Sequence, residues 1–245
     1  MTKLSVNLNK IALLRNQRDI GIPSVLEAAQ AVIKAGAHGV TVHPRPDERH
    51  IRYQDAYELR DMLEDFPDTE YNIEGNPFTG KLMSLLRDIR PDQATLVPDV
   101  PGQNTSDHGW DIKANLERLR PVAEELNQLG IRVSVFVDAV PGIELAAKAP
   151  IDRVELYTEP YALAFRENKN LQETVSLYAD AAGAAQDAGL GVNAGHDLNL
   201  QNLDTFLTGV KGVLEVSIGH ALIAEALDTG LVHTVRQYLK ILSKY

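Results

Sequence analysis

Short β-branched runs alternate with longer helix-period stretches eight times over 245 residues, which predicts an α/β fold, a single TIM (β/α)8 barrel with extra helices spanning residues 1–245. Two further observations agree. Glycines stand where helices should stop, at Gly36, Gly130 and Gly189, and no Pro/Ser-rich linker or composition shift divides the chain. A doubly wound open sheet shares this periodicity and is the rival architecture.

The strand candidates are Leu4–Leu8, Gly39–Val42, Tyr71–Ile73, Ala94–Val97, Arg132–Val137, Arg153–Leu156, Gly191–Asn193 and Leu214–Ile218. After the first, Ser24 and Glu27 have capping-box spacing, and Ala28, Ala29, Val32 and Ile33 follow at helical spacing. Two stretches exceed a minimal barrel. Pro98–Trp110, rich in Pro, Gly, Asn and Ser, reads as a long loop after the fourth strand, and Glu159–Asn170 as a short extra helix after the sixth.

Composition narrows the function classes. With 44% hydrophobic and 24% charged residues the chain is ordinary for a globular protein. A net charge of −10 speaks against a nucleic-acid groove, which needs clustered Lys and Arg. Cysteine is absent, excluding disulfides, thiolate nucleophiles and Cys-ligated metals. Met1-Thr2-Lys3-Leu4 runs directly into a strand, and no apolar run approaches membrane-spanning length, so no signal peptide, no membrane and a cytoplasmic location are expected.

Polar residues collect where strands end, the face on which barrels place their chemistry. The first strand delivers Asn7 and then Asn9-Lys10; the second runs into His43-Pro44-Arg45; the third ends at Glu74. The seventh runs into Gly195-His196 and the eighth into Gly219-His220. A strand end is also where polar residues meet solvent, so the argument rests on their convergence. His and Glu are proton carriers near neutral pH. Free amides at the helix starts after strands seven and eight suit an anion, and Arg45 with His50 suits a second. His38 and His233 read as structural or surface residues, while His108 falls in the long loop.

The sixth strand ends Leu156-Tyr157-Thr158, without a Schiff-base lysine, so any imine would use an amine on the substrate. No dinucleotide, NTP or zinc-protease motif is present. A metal held by side chains from separate strands, as in a metal-dependent lyase or aldolase, and a non-catalytic phosphometabolite-binding barrel are the other readings the residues leave open.

Taken in order, Val6–Ala12 with Leu14–Arg18, Gly39–Arg45 with Arg49-His50-Ile51, Asn72-Ile73-Glu74, Leu96-Val97-Pro98, Val133–Asp138, Glu155–Thr158, Val192–His196 and Ile218–Ala221 resemble the pyridoxine 5'-phosphate synthase family over essentially the whole chain. The resemblance implies condensation of 3-amino-2-oxopropyl phosphate with 1-deoxy-D-xylulose 5-phosphate, releasing phosphate and water. It implies no cofactor, no metal and a homo-octamer. It assigns His43 and Glu74 as proton acceptors and His196 as donor. Asn7, Arg18, Asp197, Gly219 and His220 would hold the aminoketone phosphate. Asn9, Lys10, Arg45, His50 and Thr105 would hold the deoxyxylulose phosphate. Asn9-Lys10 replaces the Asp-His common in the family, and Asp197 replaces a glycine. Gly75-Asn76-Pro77 replaces an apolar continuation, and a short insertion precedes Glu74. The Asp197 carboxylate is expected to turn away from a phosphate, leaving its backbone to make the contact.

Overall fold

The computed structural model describes every residue except Pro101 and Asn104, and its eight parallel strands close into a barrel in sequence order. They are β1 Lys3–Asn7, β2 Gly39–Val42, β3 Glu70–Gly75, β4 Gln93–Leu96, β5 Arg132–Val137, β6 Arg153–Tyr157, β7 Gly191–His196 and β8 Val213–Ile218. Each coincides with a predicted strand, with ends moved by up to three residues. β8 pairs back onto β1, with Leu4 opposite Val216, which excludes an open sheet.

The helices are α1 Asn9–Arg15, α2 Val25–Lys34, α3 Tyr53–Leu63, α4 Leu82–Ile89, α5 Ile112–Gln128, α6 Glu159–Glu167, α7 Leu171–Asp187, α8 Leu203–Gly209, α9 His220–Thr229 and α10 Leu231–Leu242. A 3-10 segment, Ile143–Lys148, stands between β5 and β6. The extra helix foreseen after the sixth strand is α6. Ser24 caps α2 by accepting from the Glu27 N–H at 3.2 Å. Gly36, Gly130 and Gly189 follow their helices with φ of 109°, 77° and 87°, where a side chain would be strained. No helix is long and apolar enough to cross a membrane, among the described residues.

Strand side chains alternate between faces. Leu4 and Val6, Val40 and Val42, Tyr71 and Ile73, Val133 and Val135, and Val216 and Ile218 are buried on the outward parity, under the helices. The other parity points into the barrel and is polar. Ser5 Oγ meets Thr41 Oγ1 at 2.7 Å, Asn72 Nδ2 donates to Thr41 Oγ1 at 3.3 Å, and Thr95 Oγ1 donates to Asn72 Oδ1 at 3.1 Å. Lower down, Arg132 Nε donates to Gln93 Oε1 at 2.9 Å and pairs with Glu70, while Arg153 Nη1 donates to Asn193 Oδ1 at 3.3 Å. A barrel interior is more often filled with Val, Ile and Leu. Here hydrogen bonds between neighbouring strands fill it.

The described part of the predicted loop Pro98–Trp110 contains no helix or strand; Pro101 and Asn104 within it lie outside the described residues. Its end is clamped to the barrel. The Trp110 N–H donates to the Phe136 carbonyl at 2.8 Å, and the indole N–H donates to the Leu96 carbonyl at 3.0 Å. Gly109 makes this approach possible, since a Cβ there would lie 2.2 Å from the Val137 Cα. Gly109→Ala should therefore push the loop off β5. Overpacking of this kind costs about 1–3 kcal/mol, and a thermal melt should fall by several degrees; an unchanged midpoint would show that the clamp does not matter.

Candidate active site

The inward parity that fills the barrel continues to its C-terminal rim, where it carries Asn7, His43, Glu74, Tyr157 and Gly219. These residues line a cavity of about 400 Å³ together with Asn9, Lys10, Arg45, His50, Thr105, His196, Asp197 and His220. Of the site residues proposed from the sequence, Arg18 alone stands apart. It is exposed in the turn after α1, its N–H donating to the Arg15 carbonyl at 3.3 Å, and it does not line this cavity.

His196 reaches the cavity by a different route. Its neighbour Gly195 has the inward parity, so His196 would otherwise face the helices. A φ of 95° at His196 turns the chain, and the ring lies 5.3 Å from Phe136 and 5.5 Å from Tyr157, centroid to centroid. That left-handed backbone is costly for a non-glycine residue. The loop that follows is braced, with Asn202 Nδ2 donating to the Asp197 carbonyl at 3.1 Å and the Asn199 N–H donating to Asn202 Oδ1 at 2.8 Å. Gly195 in turn leaves room for Glu155, whose Oε1 would lie 2.4 Å from a Cβ at that position.

Backbone geometry shapes both ends of the cavity. Gly219 precedes the first turn of α9, and a Cβ there would come within 3.0 Å of Asn7 Cβ, so glycine lets β8 close onto β1. The free amides of α9 lie beside His220 and Asn7 at the rim. Asp197 lines the cavity near them, and burial raises its pKa. At the other end, the His50 Nδ1 accepts from the Ile51 N–H at 2.9 Å, so the neutral ring carries its proton on Nε2. Lys10 and Arg45 line that end. Asn9 serves the protein as well, because its Oδ1 accepts from the His43 N–H at 2.9 Å and holds the backbone of that histidine.

Burial controls the charge states. Glu74 is raised to about 8, by burial first and then by the Asp99 charge, so it is protonated at neutral pH. His196 is lowered to about 4 and His50 to about 3, in each case by burial and then by Arg45 and Lys10. His43 is also held well below its ordinary value, by burial ahead of Arg45. The resting mouth thus combines a neutral carboxylic acid with neutral imidazoles. Glu74 can begin as a proton acceptor only after it has given its proton away.

Several site residues escaped sequence reasoning. Glu155 is buried at the cavity floor with its pKa pushed well up, by burial and then by Glu74, and its Oε2 has no hydrogen-bond partner among the described residues. Its signal was a carboxylate flanked by Val154 and Leu156, at an inward position of β6. Tyr157, Glu159 and Ser217 line the cavity from the ends of β6 and β8, and Ser106 from the long loop. Asp99, buried just past β4, contacts both His43 and Arg45. No local pattern announces it, because its partners lie some 55 residues earlier.

Comparison with known proteins gives a consistent match. The family profile described as "Pyridoxal phosphate biosynthesis protein PdxJ" matches residues 4–244. A protein of Albidiferax ferrireducens named pyridoxine 5'-phosphate synthase is 52% identical over 251 residues, covering 99% of this chain and 98% of its own. One of Xanthomonas campestris pv. campestris with the same name is 54% identical over 249 residues, covering 99% and 96%. Among solved structures, tryptophan synthase from M. tuberculosis superposes with a TM-score of 0.65 at 11% identity, covering 96% of this chain and 90% of that one, a likeness of fold alone.

The depressed histidines make stability fall with acid. An imidazole whose folded pKa lies below 6.5 leaves the unfolded chain to take up the proton first, so stability is lost as pH drops below 6.5, for His50 down to about 3. The thermal midpoint should decline through this window, and less steeply in His50→Gln than in the wild type. Parallel slopes in the two proteins would refute the burial of a neutral His50.

Proposed function

The chain belongs to the PdxJ family of pyridoxal phosphate biosynthesis proteins, and on that premise we propose that it closes the pyridine ring of pyridoxine 5'-phosphate from 3-amino-2-oxopropyl phosphate and 1-deoxy-D-xylulose 5-phosphate, releasing phosphate and water. The observation that supports this reading is that one cavity is lined by His43, Glu74 and His196 together with Lys10, Arg45, His50 and His220. Asn7, Gly219, His220 and the backbone at Asp197 take the aminoketone phosphate; Asn9, Lys10, Arg45, His50 and Thr105 take the deoxyxylulose phosphate. Arg18, exposed on the turn after α1, holds the first phosphate in a neighbouring subunit's cavity in the same reading. Assembly as a homo-octamer, a cytoplasmic location and function without cofactor or metal belong to the same reading.

The substrate supplies the amine, so the protein needs proton carriers and no lysine nucleophile. Amine and ketone condense to an imine, and the oxygen leaves as water. Glu74, protonated at rest, is suited to give a proton to that oxygen and to recover one from the amine nitrogen. Later, His196 protonates the phosphate as its C–O bond breaks. Burial is the first cause of the low His196 pKa, and Arg45 and Lys10 add to it; an incoming phosphate dianion offsets those two cations and so raises that pKa. Thr105 Oγ1 lies 3.2 Å from His196 Nε2, which brings the long loop to that proton. His43 serves the hydration and dehydration steps near ring closure.

Mixing the two substrates in chelator-treated buffer should release phosphate and generate the pyridine chromophore together. Glu74→Gln, His43→Ala and His196→Ala should each lower kcat roughly 10²–10⁴-fold with the fold retained. Arg45→Ala should act chiefly on KM for deoxyxylulose phosphate. Wild-type protein that binds both phosphates yet forms no product would reject the activity, and near-normal turnover in His196→Ala would reject the role of that histidine.

A further inference from the structure

The His43 imidazole is bracketed by two buried carboxylates. Glu74 Oε2 lies 3.6 Å from its Nδ1 and Asp99 Oδ2 lies 3.1 Å from its Nε2. Among the described ion pairs only these two acids reach the ring. Each of the three groups is held from its own side. Asn9 fixes the His43 backbone at 2.9 Å, and Asn76 Nδ2 donates to the Asp99 carbonyl at 2.8 Å. The Glu74 carboxyl accepts from Asn7 Nδ2 at 3.3 Å.

The two acids differ in their remaining partners. Asp99 Oδ2 lies 2.9 Å from Arg45 Nη2, whereas the other partner of Glu74 is a neutral amide. Like charges around one small ring cannot both be carried cheaply in a buried site. Burial raises the pKa of both acids, but the guanidinium lies against Asp99 at 2.9 Å, favouring the anion there and leaving the proton to Glu74.

We propose that Asp99 is a positioning residue for the reaction: paired with Arg45, its negative charge acts across His43 to keep Glu74 in the acid form, so that the loop after β4 completes a carboxylate–imidazole–carboxylic acid unit. The use made of that proton rests on the function proposed above, while the unit itself is a property of the ligand-free protein. Other groups face it and stay in place on substitution of Asp99. Glu155 of β6 and Glu215 of β8 also face Glu74, with Arg45 opposing them. His50, His196 and Arg49 face His43, and Ser106, Asp107 and His108 of its own loop face Asp99. Glu74 therefore stays above the usual carboxyl range without Asp99, but lower than about 8.

The test follows the carbonyl stretch of the protonated Glu74 carboxyl by infrared spectroscopy in ligand-free protein, the band being identified by its loss in Glu74→Gln. Asp99→Asn removes the charge and keeps the shape; Asp99→Ser is a second neutral variant should the first misfold, with circular dichroism reporting the fold. The band should titrate roughly one pH unit or more lower in a folded neutral variant, and Asp99→Glu should restore it. The corresponding limb of the kcat profile should move by the same amount. An unshifted band in a folded neutral variant would overturn the proposal. So would an equal shift in Asp99→Glu, because a lost prop rather than a lost charge would then be the cause. Failure of the wild type to form product would count against the proposed function and leave this titration standing.

Discussion

Closing eight parallel strands commits every second residue to the inside of the barrel, and in this chain that inside is hydrogen-bonded rather than oily. Thr41, Asn72 and Thr95 link β2, β3 and β4 below the rim. His43 and Glu74 stand one step higher on the same parity. The active mouth is thus the top layer of a polar column, and its side chains inherit their direction from the register of the strands. A slip of one residue would send each of them into the apolar layer beneath the helices.

The same burial sets the chemistry. Taken out of water, the carboxyl groups of Glu74 and Glu155 hold their protons and the imidazoles of His43, His50 and His196 shed theirs. Opposite kinds of group converge on the neutral state, which lowers the cost of burying them together. Lys10 and Arg45 line the same cavity, with Arg45 paired to Asp99. The protonation states belong to the site as a set, not to one residue in isolation.

Local exceptions to the barrel rule sit where the site needs them. His196 leaves the outward parity through a left-handed backbone, and the Asn202 bracing makes that conformation part of a fixed loop. Gly195 and Gly219 omit side chains where Glu155 and Asn7 approach. Gly109 lets the long loop end against β5, so that the segment carrying Asp99 and Thr105 is anchored at both ends to the barrel. In each case a rule of regular structure is broken beside the cavity.

The order of strands and helices, the helix stops at Gly36, Gly130 and Gly189, and the strand-end histidines were legible in the sequence, because periodicity and turn chemistry are local properties. So were most of the cavity residues, since a strand end is a position along the chain. Barrel closure was not, because an open sheet has the same periodicity and only the pairing of β1 with β8 distinguishes them. Glu155 stayed hidden for want of a parity reference, and Asp99 because its meaning lies in His43 and Arg45, which folding alone brings to it. Charge states belong to the same class. The protonation of Glu74 depends on how deeply it is buried and which charges surround it, and those distances exist only in three dimensions.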